Sequence, residues 1–149
     1  MYYLAYGMNT NLAGMAYRCP SAISIGKVTL NNHALRFKYH ADAEHSPGDS
    51  MECALWSITE DCERNLDKLE GYPYYYEKKI VPVEFGDTEI EAMIYYMASA
   101  TQIQTPDQEY YNSIIRGYYQ HGMDLGNLAR AYEDTLLLDI IDFTVEREF

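Results

Sequence analysis

The segment Tyr2-Tyr3-Leu4-Ala5-Tyr6-Gly7-Met8-Asn9 decides how the chain is read. Its apolar start, Tyr2–Ala5, is cut off by Gly7, which predicts a short strand followed at once by a loop. Asn11–Arg18 then reads as a short helix that stops at Cys19-Pro20. A strand that passes the chain to a helix through such a loop presents backbone N–H groups to an anion or a carbonyl oxygen. Gly7 lets a ligand approach the main chain closely.

Outward from this segment the chain reads as strands first. Ile23, Ile25, Val28 and Leu30 alternate with small or polar residues, as a half-buried strand does. Asn31-Asn32 reads as a turn, and Leu35, Phe37 and Tyr39 alternate again as the next strand. Pro47-Gly48-Asp49 reads as a turn before a strand at Met51–Ser57. Thr59 is a helix N-cap, with Glu60 and Asp61 in the first turn. Cys62, Leu66 and Leu69 form one apolar face of that helix, and Gly71 ends it ahead of Pro73. Lys78–Phe85 and Ile90–Met97 are strands joined at Gly86-Asp87, and Pro82 marks an edge or a bulge.

The remainder is helical. Thr105-Pro106-Asp107-Gln108 reads as a helix start, with Thr105 as cap, Pro106 at N1 and Gln108 at N3. Ile114, Ile115 and one of Tyr118 or Tyr119 make the apolar side, and Gly122 closes the helix. A further helix starts at Asp124 and runs through Tyr132, and Leu136–Phe143 is a helix or an extended tail over the core. Strands first and helices last predict an α+β fold, with a mainly antiparallel or mixed sheet curling on itself and helices at one end.

The chain has 149 residues, which predicts one domain over residues 1–149, with 135–149 as a C-terminal extension packing on it. The formal charge of −12 repels phosphate backbones and anionic bilayers, so neither nucleic acid nor membrane is an expected partner. Three cysteines without a CxxC pair argue against a disulfide framework or zinc ribbon and for a reduced, cytoplasmic setting. The start has no basic region followed by a long apolar one, so no signal peptide is expected. Phosphate-loop, dinucleotide and nucleophile-elbow motifs are absent. His40 and His45 flank Asp42 and Glu44 at no common metal spacing, so this stretch reads as a solvated loop and no metal is expected. Cys62, on an apolar helix face, reads as a small core residue. Sixteen tyrosines against four phenylalanines are more phenols than an apolar core needs. They predict either a pocket lined with hydroxyls or an exposed contact surface.

Three pieces in order resemble the gamma-glutamylcyclotransferase-like family, also called AIG2-like or BtrG-like. The first is Tyr3-Leu4-Ala5-Tyr6-Gly7-Met8-Asn9 with Arg18-Cys19-Pro20-Ser21-Ala22. The second runs from Ala41-Asp42 through Ser46-Pro47-Gly48-Asp49 and Leu55-Trp56 to Leu66-Asp67-Lys68-Leu69-Glu70-Gly71-Tyr72. The third is Thr105-Pro106 through Tyr110 to Gly117. The resemblance covers about residues 2–130 and implies the family's mixed, barrel-like sheet with flanking helices.

The resemblance also implies roles. On spacing alone Glu70 is a solvated carboxylate at a helix end, where the negative dipole and any burial would raise its pKa. The family's catalytic glutamate occupies this position. Tyr6, Gly7, Met8 and Asn9 fall in the loop that cradles the glutamyl moiety, although Met8 stands where the family motif has serine. Tyr76, Tyr95 and Tyr110 match pocket positions. Tyr95 and Tyr96 point to opposite faces of a strand, so only one faces the pocket. Tyr74 and Tyr75 read as rim. The implied reaction is an amine-releasing acyl transfer on a small γ-glutamyl substrate. Its α-amine attacks the γ-carbonyl and 5-oxoproline leaves, with no cofactor. The alternative is an inactive or repurposed interaction protein on the same fold. Tyr72–Tyr76, Tyr118–Tyr119 and the acidic charge support it, with a second copy of the chain or another protein as partner.

Overall fold

The computed structural model describes residues 1–99 and 102–148, of which 139–148 by backbone alone. The opening strand, β1 (Tyr2–Ala5), is followed by a 3-10 turn at Met8–Thr10 and helix α1 (Leu12–Arg18). Asn11 caps α1 by accepting from the Gly14 amide, 3.1 Å. Two long strands follow, β2 (Ile23–Lys38) and β3 (His40–Ser57). Helix α2 (Glu60–Glu70), strands β4 (Glu77–Phe85) and β5 (Thr88–Tyr96), and helices α3 (Gln108–His121) and α4 (Leu125–Glu148) complete the order.

The five strands form one mixed sheet in the order β2-β3-β1-β5-β4. β1 lies inside it, antiparallel to β3 and parallel to β5. That position explains its apolar run, since Leu4 and Ala5 are covered on both faces. β4 is an edge strand, which accommodates Pro82. The fold class is therefore α+β with a mixed sheet, as the residue pattern predicts. Leu4, Phe37, Leu55, Leu66, Ile94 and Ile114 are fully buried and tie the sheet to α2 and α3. Among the described residues no helix is long and apolar enough to cross a membrane.

Three expectations are corrected. The turns at Asn31-Asn32 and Pro47-Gly48-Asp49 do not separate strands. Asn31 pairs with Ser50 and His33 with His45, so Asn32 faces residues 46–49 in one wide bulge within a continuous β2–β3 ribbon. The two turn signals lie opposite each other and satisfy each other. Asn32 takes φ 60° and its side-chain oxygen accepts from the Gly48 amide, 3.1 Å. The chain reverses instead at Tyr39, between paired Lys38 and His40, and Tyr39 N donates to the Gln104 carbonyl, 3.0 Å. Next, α3 is capped by Asp107, not Thr105. The Asp107 carboxylate accepts from the Glu109 and Tyr110 amides at 3.1 and 3.3 Å, whereas the Thr105 hydroxyl donates to Thr135 Oγ1, 3.2 Å.

The third correction concerns residues 40–45, which are not a solvated loop. The bulge lets the ribbon tip fold over the end of β5, where Asp42 is buried and accepts from Met97 N, 2.8 Å. Its other oxygen accepts from Lys38 Nζ, 2.7 Å, itself buried and also bound to Glu44. Cys62 lies in the core as expected, 1 % exposed. Leu125–Glu148 is one continuous helix, so the helix expected to end at Tyr132 instead runs on through Leu136–Phe143. Of the expected extension over 135–149, Thr135 is buried but Leu136, Leu137 and Leu138 are exposed. The packing of residues 139–149 lies outside the described residues.

Candidate active site

β1 and β5 run parallel, and a pocket forms at their carboxyl ends. β1 contributes the Tyr6–Asn9 loop and β5 contributes Tyr95. The last turn of α2 brings in Leu69 and Glu70, the connection to β4 brings Tyr75 and Tyr76, and α3 brings Tyr110. The folded-over ribbon tip closes the rim with His40 and Ala41. The enclosed volume is small, ≈ 90 Å³, suited to the head of a small molecule. Every residue singled out from the sequence lines it: Glu70, Tyr6, Gly7, Met8, Asn9, Tyr76, Tyr95 and Tyr110.

Glu70 is the last residue of α2, and Gly71 turns the chain away in the left-handed region at φ 65°. Burial raises the Glu70 carboxyl from its ordinary range to about 7, against an opposing pull from the Arg18 guanidinium. Its oxygen accepts from Asn9 Nδ2 at 3.3 Å. The Met8–Thr10 turn begins with Thr10 N donating to the Gly7 carbonyl, 3.1 Å. The Met8 and Asn9 amides precede this first bond, the position from which helix-start donors reach a ligand. A side chain at position 7 would press on the Tyr110 hydroxyl and Ala41 Cβ, both at 3.3 Å.

The tyrosines are braced more than they are free. Tyr6 donates to the Tyr95 carbonyl, Tyr76 to the Ala41 carbonyl and Tyr95 to Asp67, each at 2.6 Å. Their protons are thus committed to partners within the protein. Tyr110 differs: its oxygen accepts from Ala41 N, 2.9 Å, so its own proton remains for a partner in the pocket. Burial raises the pKa of all four, so the wall is uncharged at neutral pH. The choice between Tyr95 and Tyr96 falls to Tyr95, which is buried, while Tyr96 bonds Glu77 outside.

Several site residues escaped the sequence reading. Tyr75 is not merely rim: it lines the pocket and its hydroxyl shares a 2.6 Å hydrogen bond with His40 Nδ1. Tyr3 lines the pocket and accepts from Asn9 Nδ2, 3.0 Å. Asp67, one turn before Glu70, holds Tyr95 and Lys78 together. The signal for Tyr3 was available, since a two-residue period puts it on the opposite face from Leu4 and on the side of Tyr95. A larger groove, ≈ 690 Å³, lies between the β2 and β4 edges and shares no lining residue with this pocket.

A family model described as "Gamma-glutamyl cyclotransferase, AIG2-like" matches residues 3–119. No curated protein matches the chain. A solved structure titled "Gamma-glutamyl cyclotransferase" is 24% identical with a TM-score of 0.75, covering 88% of this chain and 85% of that one. An uncharacterised protein from Homo sapiens is 25% identical with a TM-score of 0.73, covering 87% and 85%. YkqA from Bacillus subtilis is 22% identical with a TM-score of 0.76, and the match spans 91% of this chain but 54% of that one.

Proposed function

Because the chain belongs to the gamma-glutamyl cyclotransferase, AIG2-like family, we propose that it releases 5-oxoproline from a small γ-glutamyl compound, with Glu70 as its proton-transfer group. The Glu70 carboxylate takes a proton from the substrate's α-ammonium. The freed nitrogen attacks the γ-carbonyl carbon, closing a five-membered ring as the new C–N bond forms. Negative charge then gathers on the former carbonyl oxygen, to which the Met8 and Asn9 amides donate. The old C–N bond breaks as Glu70 returns its proton to the departing amine, and the second proton of the ring nitrogen passes through Glu70 to that amine, which leaves as an ammonium. Nucleophile and electrophile share one molecule, so the protein's work is to hold the folded conformer and move the proton.

The observation that carries this reading is the placement of Glu70. Its carboxyl is held near pH 7, faces the Gly7–Asn9 segment and sits inside a neutral phenolic wall. A group with a pKa near the working pH serves as base and acid in one cycle. Met8, in the motif's serine position, removes a hydroxyl but leaves both main-chain donors. Its thioether instead accepts from Arg18, 3.7 Å. Tyr110 is the phenol with a proton to offer the substrate's carboxylate. The test is release of 5-oxoproline from a panel of γ-glutamyl amines and γ-glutamyl dipeptides. Turnover of at least one member, lost in folded Glu70→Gln, supports the reading; no turnover of any member overturns it.

A further inference from the structure

From Arg18, outside the pocket, a chain of side-chain contacts reaches the lining residues Asn9, Tyr3 and Glu70, and the reaction as written does not use it. Arg18 Nη1 donates to Asn9 Oδ1, 3.0 Å, and Asn9 Nδ2 donates onward to Glu70 Oε1, 3.3 Å, and to the Tyr3 hydroxyl, 3.0 Å. Arg18 does not line the pocket. A guanidinium only donates, so the atom of Asn9 that faces it must be the carbonyl oxygen. That fixes the amide's orientation and leaves its NH2 pointing at Glu70. The second guanidinium nitrogen rests on Met8 Sδ, and the Arg18 carbonyl accepts from Asn65 on α2, 3.1 Å, which anchors the end of α1.

Gly14 is a second, independent observation. It sits inside α1, where glycine is less favourable than alanine by about 1 kcal/mol. A Cβ there would come within 2.7 Å of Arg18 Nη1 and 3.3 Å of its central carbon. The glycine thus vacates the space that the guanidinium needs to fold back over its own helix and reach Asn9.

We propose that Arg18 is a positioning residue that acts through Asn9, holding the amide donor toward Glu70 and biasing Glu70 toward the carboxylate that starts the cycle. This rests on the reading of Glu70 as the proton-transfer group. Both effects of Arg18, its charge and the donor it orients, favour ionised Glu70 and oppose burial. The other groups facing Glu70 do not compete as charges. The phenols of Tyr3 on β1, Tyr95 on β5, Tyr110 on α3, and Tyr75 and Tyr76 in the α2–β4 connection are pushed up by burial and stay protonated. Burial lowers the His40 imidazole on β3, which disfavours its charged form.

The experiment follows the Glu70 carboxyl by 13C NMR across pH 4–9 in the full chain, in parallel with the pH profile of kcat/KM for 5-oxoproline release. Arg18→Gln is expected to raise the Glu70 midpoint by about one unit, the order of a single nearby charge, and to move the acid limb of the profile equally. Arg18→Lys keeps a charge but not the forked contact, and is expected to fall between. Gly14→Ala is expected to shift the midpoint in the same direction while α1 becomes more stable, which a merely structural role does not produce. Midpoints unchanged in folded Arg18→Gln and in Gly14→Ala overturn the proposal. If Arg18→Gln does not fold, Gly14→Ala decides alone. Shifted midpoints in a protein that makes no 5-oxoproline leave the coupling of Arg18 to Glu70 standing and remove the functional reading; turnover with unshifted midpoints does the reverse.

Discussion

Glu70 is a carboxyl that the folded state makes hard to ionise, and this has a consequence for stability as well as for chemistry. Its folded pKa of about 7 lies above the ordinary value of 4.5, so the native state holds the proton more tightly than the unfolded chain. Stability from this group is therefore full below the unfolded pKa and declines as pH rises from 4.5 toward 7. The loss amounts to about 3 kcal/mol once Glu70 is ionised. Glu70→Gln is expected to unfold like the parent at pH 4 but at higher temperature than the parent at pH 8, which thermal denaturation at the two pH values checks. Gly7→Ala is expected to push on the Tyr110 hydroxyl and Ala41, lowering kcat/KM for 5-oxoproline release at least tenfold while near-UV circular dichroism stays native. At this scale the sequence was informative where a motif fixed one position, as at Glu70. It was mute where a choice depends on partners: Tyr95 faces the pocket because Asp67 holds it there, and the alternation of Tyr95 with Tyr96 says only that one of them does.

At the scale of elements, α3 is positioned by a contact that leaves no room. A Cβ on Gly117 would meet Thr10 Oγ1 and lie 2.6 Å from Asn11 N, so α3 rests its backbone directly on the Met8–Thr10 turn. Asn11 reinforces the contact by donating to the Ser113 carbonyl, 3.2 Å. Gly117→Ala is expected to destabilise the protein by roughly 1–3 kcal/mol, as overpacking does, and to displace the donor turn. Chemical denaturation measures the first effect, and a raised KM for the γ-glutamyl substrate the second. Asp107→Ala is expected to cost about 1 kcal/mol as a lost N-cap, and more than any cap effect of Thr105→Ala. The α2 helix was readable because Thr59, the Cys62 and Leu66 face and Gly71 all give local signals. The α3 start misled because Thr105-Pro106 and Asp107 both carry cap chemistry, and only the tertiary partner of Thr105, Thr135, separates them. The bulge at Asn32 could not be read locally either, since its turn signals are far apart in the chain and cancel only when β2 and β3 pair.

For the molecule as a whole, the bulge bends the β2–β3 ribbon, the ribbon tip covers the ends of β1 and β5, and the covered ends become a pocket. The Lys38–Asp42–Met97 contacts fasten that tip with a buried ion pair. Asp42→Ala leaves the Lys38 ammonium buried without its closest partner, so a loss of about 3–5 kcal/mol is expected in denaturant unfolding. The tyrosine surplus now divides: six of the sixteen line the pocket, most of them bonded to the backbone or to each other's neighbours, so they build the wall that dries Glu70. Tyr17, Tyr74 and Tyr119 remain strongly exposed. Proton transfer by a carboxyl held near neutrality is what sets the proposed reaction apart from simple binding. The most direct measurement is the initial rate of 5-oxoproline release against pH, for the parent and for Glu70→Gln, with a γ-glutamyl substrate that the parent turns over. An acid limb with a midpoint of about 7 is expected in the parent, and no turnover above background in the folded variant. A folded Glu70→Gln that keeps the parent's rate and pH profile contradicts it.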